Sequence, residues 1–297
     1  MKRIFLAMSI VLTSVGFIAC SNEEVEATST DNQVNEAAQK AELKKLQSDI
    51  AKLNKEWLEK HPVALTRGEQ DYESTDEIAK ISITGADLAG AFIGSSFGLH
   101  GAIIGGVAAS VIASWEKEKY GSCSSIQMDY SDADDLVFNK GVSVETFDSI
   151  GYFHNKIIMN IGMENLLNAS MDEIDELVLN STIEVLGVQD EELSIEYVRN
   201  NSCIAFFKEN IGRLNKAETP EEFCNILTEN KDISREEVDV IKTYMEGLST
   251  IDNTNGAYTK EVLRTIDESK LEPSIATELK SGVLVGNASQ KLWIVNP

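Results

Sequence analysis

Histidine, proline and cysteine are scarce in this chain of 297 residues, which holds three, four and four of them. So few histidines leave little room for a histidine metal cluster or a histidine-based catalytic centre. No HExxH, Walker A, GxGxxG or CxxC signature accompanies them. Few prolines, and no long run of alternating polar and apolar residues, favour helix over sheet. Positive charge is also short: 26 Lys and Arg stand against 49 Asp and Glu, for a net charge of −23. A surface this negative repels nucleic acid and anionic lipid, so no nucleic-acid partner is expected. One further absence is local. After Asp87 the chain carries no Asp, Glu, Lys or Arg until Glu116.

The N-terminus is apolar for another reason. Met1-Lys2-Arg3 is a short basic opening, and Ile4 to Ile18 is an apolar run too short to span a bilayer. It ends in Phe17-Ile18-Ala19-Cys20, which resembles the lipobox of bacterial lipoproteins, with Phe17 in place of the usual leucine. The resemblance implies removal of residues 1–19, lipidation of Cys20 and anchoring in a membrane through its acyl chains. Loss of Lys2 and Arg3 would move the net charge from −23 to −25. Ser21-Asn22-Glu23-Glu24 resembles the short acidic signals that carry some Gram-negative lipoproteins to the cell surface. The expected location is therefore the outer membrane, with the chain exported. With Cys20 lipidated, Cys123, Cys203 and Cys224 allow at most one internal disulfide. No pairing is assigned among them.

Residues 20–33 read as a lipidated polar tether. Residues 34–61 read as an amphipathic helix, because Leu43, Leu46, Ile50, Leu53 and Trp57 recur at alternating steps of three and four. Two heptads are too few for a free coiled coil, so the helix is expected to lie on its own domain. Residues 62–84 read as a linker, and 116–142 as an acidic loop. From 143 to 297 helix starts recur. Ser170–Glu173, Thr219–Glu222 and Ser234–Glu237 each have capping-box spacing, and Pro220 follows its cap at the first helical position. Apolar residues follow at helical spacing, and further helices are expected near 144–161, 193–214, 258–267 and 274–293. The expected fold is mainly α: a glycine-rich helical hairpin packed with a C-terminal helical bundle, preceded by the tether and the amphipathic helix.

Residues 85–115 are the most distinctive segment. Every fourth residue is small: Ala86, Gly90, Gly94, Gly98, Ala102, Gly106, Ser110 and Ser114. A second row reads Gly101, Gly105, Ala109 and Ala113. On a helix such rows form a groove that another backbone can approach closely. Gly90, Gly94, Gly98, Ala102, Gly106 and Ser110 are the predicted packing groove. The pattern resembles the glycine zippers of some membrane channels and bacteriocin-like peptides, which implies a packing mode. Each glycine costs about 1 kcal/mol relative to alanine inside a helix, so packing must offset that cost. Leu88 to Trp115 would make about 42 Å of helix at 1.5 Å per residue, against a bilayer core of about 30 Å. The segment is long enough to span but only moderately apolar. A bend at Gly98-Leu99-His100-Gly101 would fold it into a hairpin.

Little else suggests chemistry. His154 lies on the apolar row Phe147, Ile150, His154, Ile157, Ile161 and reads as a satisfied core residue. Gly151-Tyr-Phe-His154-Asn155 resembles a stretch in secreted proteins that also carry a glycine-rich segment, and it brings no activity with it. The Asp129–Asp135 cluster lacks EF-hand order. Asp148-Ser149-Ile150 resembles an O-glycosylation triplet of exported Gram-negative proteins. No catalytic residue, cofactor or metal site is assigned. The expectation is a lipoprotein at the cell surface or facing the periplasm, non-enzymatic, that binds or scaffolds a partner. The alternative is a toxin- or pore-type protein whose glycine zipper self-associates in a bilayer.

Overall fold

A computed structural model describes residues 22–60, 75–120, 125–129, 149–188, 193–251, 253 and 256–296. Cys20, His61, Cys123, Asp148 and most of the Asp129–Asp135 cluster lie outside the described residues. The chain forms two units, Met1–Ala41 and Glu42–Pro297. Helix α1 (Asn22–Lys60) opens in the first. There Lys40 pairs with Glu36, one turn earlier, at 2.6 Å. The helix begins well ahead of Val34 and takes in most of the stretch expected as a tether. No glycine or proline interrupts Asn22–Lys60, so nothing local stops the helix.

In the second unit the remainder of α1 docks on the core through the predicted seam. Leu43, Leu46 and Ile50 are buried, and the Trp57 ring meets Tyr258 edge-on at 5.9 Å. Asn54 adds a polar clasp. Its amide donates to the Thr243 carbonyl at 2.9 Å, and its oxygen accepts from the Tyr258 hydroxyl at 2.7 Å. Next come α2 (Thr75–Gly94), a single 3-10 turn at Ser95–Phe97, and α3 (Gly98–Tyr120). The two helices are antiparallel arms of one hairpin. Its bend falls at Ser95–Gly98, three residues ahead of the expected Gly98–Gly101. Gly98 turns the chain at φ +83° and ψ −170°, a conformation nearly confined to glycine, and Leu99 to Gly101 already belong to α3.

The bundle that follows comprises α4 (Ile150–Ile161), α5 (Met163–Asn168), α6 (Met171–Leu186), α7 (Ile195–Arg199), α8 (Ser202–Leu214), α9 (Pro220–Leu227), α10 (Arg235–Thr250), α11 (Ala257–Asp267) and α12 (Pro273–Leu292). The caps act as the sequence implies, with one difference. At α10 the Ser234 hydroxyl accepts from the Glu237 amide at 3.3 Å, while Glu237 accepts from the Ser234 amide at 2.6 Å. At α6 Glu173 reaches back to the Ser170 amide at 2.7 Å. At α9 Thr219 caps the Glu222 amide at 3.2 Å, but the Glu222 carboxylate accepts from Glu218, one residue before the cap.

Two short strands are the departure from an all-helical reading. β1 (Ser125–Met128) lies in the expected acidic loop, and β2 (Trp293–Asn296) follows α12 directly. They pair antiparallel, with Met128 opposite Trp293. The expected helix over 274–293 therefore stops at Leu292, where Trp293 turns to extended backbone. The fold is mainly α, and the hairpin sits at its centre. Leu88, Phe92, Ile103, Ile104, Val107, Val111 and Ile112 are all buried against the surrounding helices.

Candidate functional site

The glycines of the hairpin meet each other. A Cβ on Gly90 would strike the Gly105 carbonyl and the Ala109 side chain, and one on Gly94 would strike the Gly101 carbonyl. The reverse also holds: Gly101 faces the Gly94 carbonyl and Gly105 faces that of Gly90. Two backbones thus touch with no side chain between them, where dispersion and Cα–H···O contacts replace side-chain packing. Of the six residues expected to line the groove, two lie on this seam. Gly90 and Gly94 belong to it, but their partners are the second row, Gly101, Gly105 and Ala109. The turn at Gly98 breaks the continuous row and resets the register of α3. Gly98 is exposed, with nothing within 4 Å of a Cβ placed on it. Ala102 is buried. Gly106 faces His154, Val285 and Ala91, and Ser110 turns to Asp87.

A small-residue row not singled out in the sequence closes the opposite face. On α12, Gly282 and Gly286 lie four apart and admit the Leu88 backbone and side chain of α2. Gly151 on α4 admits the Leu284 carbonyl. The signal for α12 was the same fourfold spacing, repeated once only.

Asp87 lies beneath these contacts, fully buried on α2. It is the single acidic residue in the chain between Lys80 and Glu116. Ser110 of α3 donates to its Oδ2 at 2.9 Å. His154 of α4, equally buried, places Nε2 at 3.6 Å from the same oxygen. The other ring nitrogen, Nδ1, stands 2.9 Å from Asn155 Oδ1, and the Asn155 amide donates to the Ala288 carbonyl. That orientation makes Nδ1 the donor and leaves Nε2 as a lone pair facing Asp87. Burial pushes the Asp87 carboxyl up to about 8, opposed by Ser289, Ser110 and the Trp293 indole, which favour its charged form. Burial also pushes His154 down to about 4, against the help of Asn155 and the Gly106 backbone. At neutral pH the pair therefore carries no net charge into the core, with the proton on the carboxyl. The expectation for His154 as a core residue stands, but its partner Asp87 went unrecognised. A lone carboxylate inside an apolar run was the available signal.

The other reactive groups are also enclosed. Cys203 on α8 and Cys224 on α9 are both buried free thiols, unpaired with each other. Burial raises both well above the ordinary thiol range, which keeps them protonated. Ser149 is buried at the entrance to α4, so a glycosyltransferase could not reach it in the folded chain. Gly94-Ser-Ser-Phe-Gly98 satisfies the letters of GxSxG, a signature expected to be absent. It joins two helices through a 3-10 turn, and the Ser96 hydroxyl donates to the Ile93 carbonyl at 2.9 Å. A nucleophile elbow instead needs a strand-to-helix turn and a hydroxyl activated by a base. Among the described residues no group of three or more His, Cys, Asp or Glu is placed to hold a metal ion. The chain matches no protein-family model, no curated protein and no solved structure.

Proposed function

We propose that this is an exported protein, anchored in the outer membrane through lipid on Cys20, whose helical domain binds or scaffolds a partner without catalysis. The observation that supports this best is the fate of the small-residue rows. Gly90 and Gly94 are covered by Gly101 and Gly105, and Gly106 by α4 and α12, so these glycines present no bare groove for self-association. Among the described residues the thiols Cys203 and Cys224 and the His154 ring are buried. The lipobox-like ending at Cys20 supports the anchor.

The experiment is metabolic labelling with an alkyne fatty acid, followed by membrane fractionation. Wild type should take up label and sediment with the outer membrane. Cys20→Ser should lose both while its circular dichroism stays helical. If Cys20→Ser remains in the membrane fraction, the lipid is not the anchor and the proposal fails. The Ser82–Tyr120 segment is apolar enough to cross a bilayer. In that outcome its insertion replaces the lipid as the explanation.

A further inference from the structure

Several elements converge on Asp87 of α2. Its side chain and that of His154 on α4 are both fully buried. Three neutral donors act on the carboxyl: the Ser289 hydroxyl of α12, the Ser110 hydroxyl of α3 and the Trp293 indole of β2. Ser110 donates to Oδ2 at 2.9 Å, and His154 Nε2 stands 3.6 Å from the same oxygen. The other neighbours along α2 are uncharged. Met245 of α10 and Phe223 of α9 lie against Gly85, and the Cys203 thiol of α8 lies against the Gly90 carbonyl. Among the described residues, no ionised side chain acts on Asp87. The His154 ring has Asn155 and the Gly106 backbone as its remaining polar neighbours.

The elements around Asp87 respond differently when its proton leaves. α3, α12 and β2 each bring a donor, and ionisation of the carboxyl strengthens all three bonds. α4 brings an acceptor. Its Nδ1–H is committed to Asn155 Oδ1, and the Asn155 amide is itself fixed to the Ala288 carbonyl. Nε2 therefore turns a lone pair toward Asp87. While the carboxyl keeps its proton, ring and carboxyl meet without charge. Once that proton passes to solvent, a buried carboxylate faces the lone pair in surroundings of low dielectric, where repulsion is weakly screened. We propose that Asp87 is a pH-operated clasp: protonated, it lets α4 lie against the hairpin, and ionised, it keeps hold of α3, α12 and β2 while α4 loosens. Burial puts the change near the Asp87 value of about 8, on the alkaline side of neutral. The seam between the hairpin arms takes no part, because Gly90 and Gly94 meet Gly101 and Gly105 through backbone alone.

The test uses the chain with Cys20 and Cys123 replaced by serine. Spin labels go on Lys156→Cys of α4 and Lys260→Cys of α11, both exposed positions. Double electron–electron resonance should give one narrow separation at about pH 6 and a second, longer one at about pH 9, either side of the Asp87 value. Asp87→Asn, which does not ionise, should keep the single separation at both. His154→Gln should do the same, because its amide can donate to a carboxylate. In the unlabelled protein the Trp293 indole proton should move downfield over the same interval, as its acceptor gains charge. Identical separations at the two pH values would overturn the proposal. So would a second separation that persists in either variant, or an indole proton that does not move. Should a variant fail to fold, the wild-type separations and the indole shift decide alone.

Discussion

Asp87 is the residue on which the hairpin's pH response turns. The folded carboxyl sits at about 8, against about 3.9 for an unperturbed aspartate. Over that interval the folded state holds a proton that the unfolded chain has released, so stability falls as pH rises. His154 acts in the opposite sense. Its folded value of about 4 lies below the unperturbed 6.5, so stability rises with pH between them. The two slopes cancel from about pH 4 to 6.5 and leave a net fall from about 6.5 to 8. Comparing wild type with Asp87→Asn isolates the first term. Wild type should lose about 1.4 kcal/mol per pH unit relative to the variant between about pH 4 and 8, and nothing further above that. Urea unfolding of both proteins at pH 5, 6.5 and 8 measures this. A difference that stays constant across the series would mean that Asp87 does not titrate within the fold.

The hairpin makes two different demands on glycine. At Gly94 the demand is space, since the Gly101 carbonyl occupies the position a side chain would take. The cost of substitution should therefore climb with size. Gly94→Ala should destabilise by about 1–3 kcal/mol through overpacking, and Gly94→Leu should prevent the arms from closing. At Gly98 the demand is conformation, at φ +83° with open space around it. Gly98→Ala and Gly98→Leu should cost much the same, about 1–3 kcal/mol each, because backbone strain does not depend on side-chain volume. Thermal denaturation of the four variants separates the two mechanisms. Equal costs at Gly94 would show that the Gly101 carbonyl does not occupy the space of a side chain there.

The helices surrounding the hairpin exclude solvent from every described thiol. Cys203 is fully buried against the Gly90 carbonyl, its Sγ 3.5 Å from that oxygen, and Cys224 is buried on α9. A chain with Cys20 and Cys123 replaced by serine should therefore resist maleimide under native conditions. Its labelling should follow the opening of the bundle, so that both thiols react at once in denaturant and slowly without it. Rapid native labelling at Cys203 would mean that α8 leaves the hairpin readily. Polar ties at the far end of α3 oppose this. Lys117 donates to the Asn215 carbonyl at 3.0 Å, and Asn215 returns a bond to the Ala113 carbonyl at 3.1 Å.

The sequence alone determined the helical class, the starts of α6, α9 and α10, and the presence of a closely packed, small-residue seam. Capping boxes, proline at the first helical position and fourfold spacing all act within one or two turns, so they can be read from neighbouring residues. Tertiary structure alone decided which row meets which, because that depends on the dihedrals of Gly98. It also decided the pairing of β1 with β2, and the burial of Asp87 beside His154 and Trp293. Residues 87, 154 and 293 are far apart in the chain, and no local pattern marks them as neighbours. They meet because α12 and α4, through Gly282, Gly286 and Gly151, can lie close enough to bring them together.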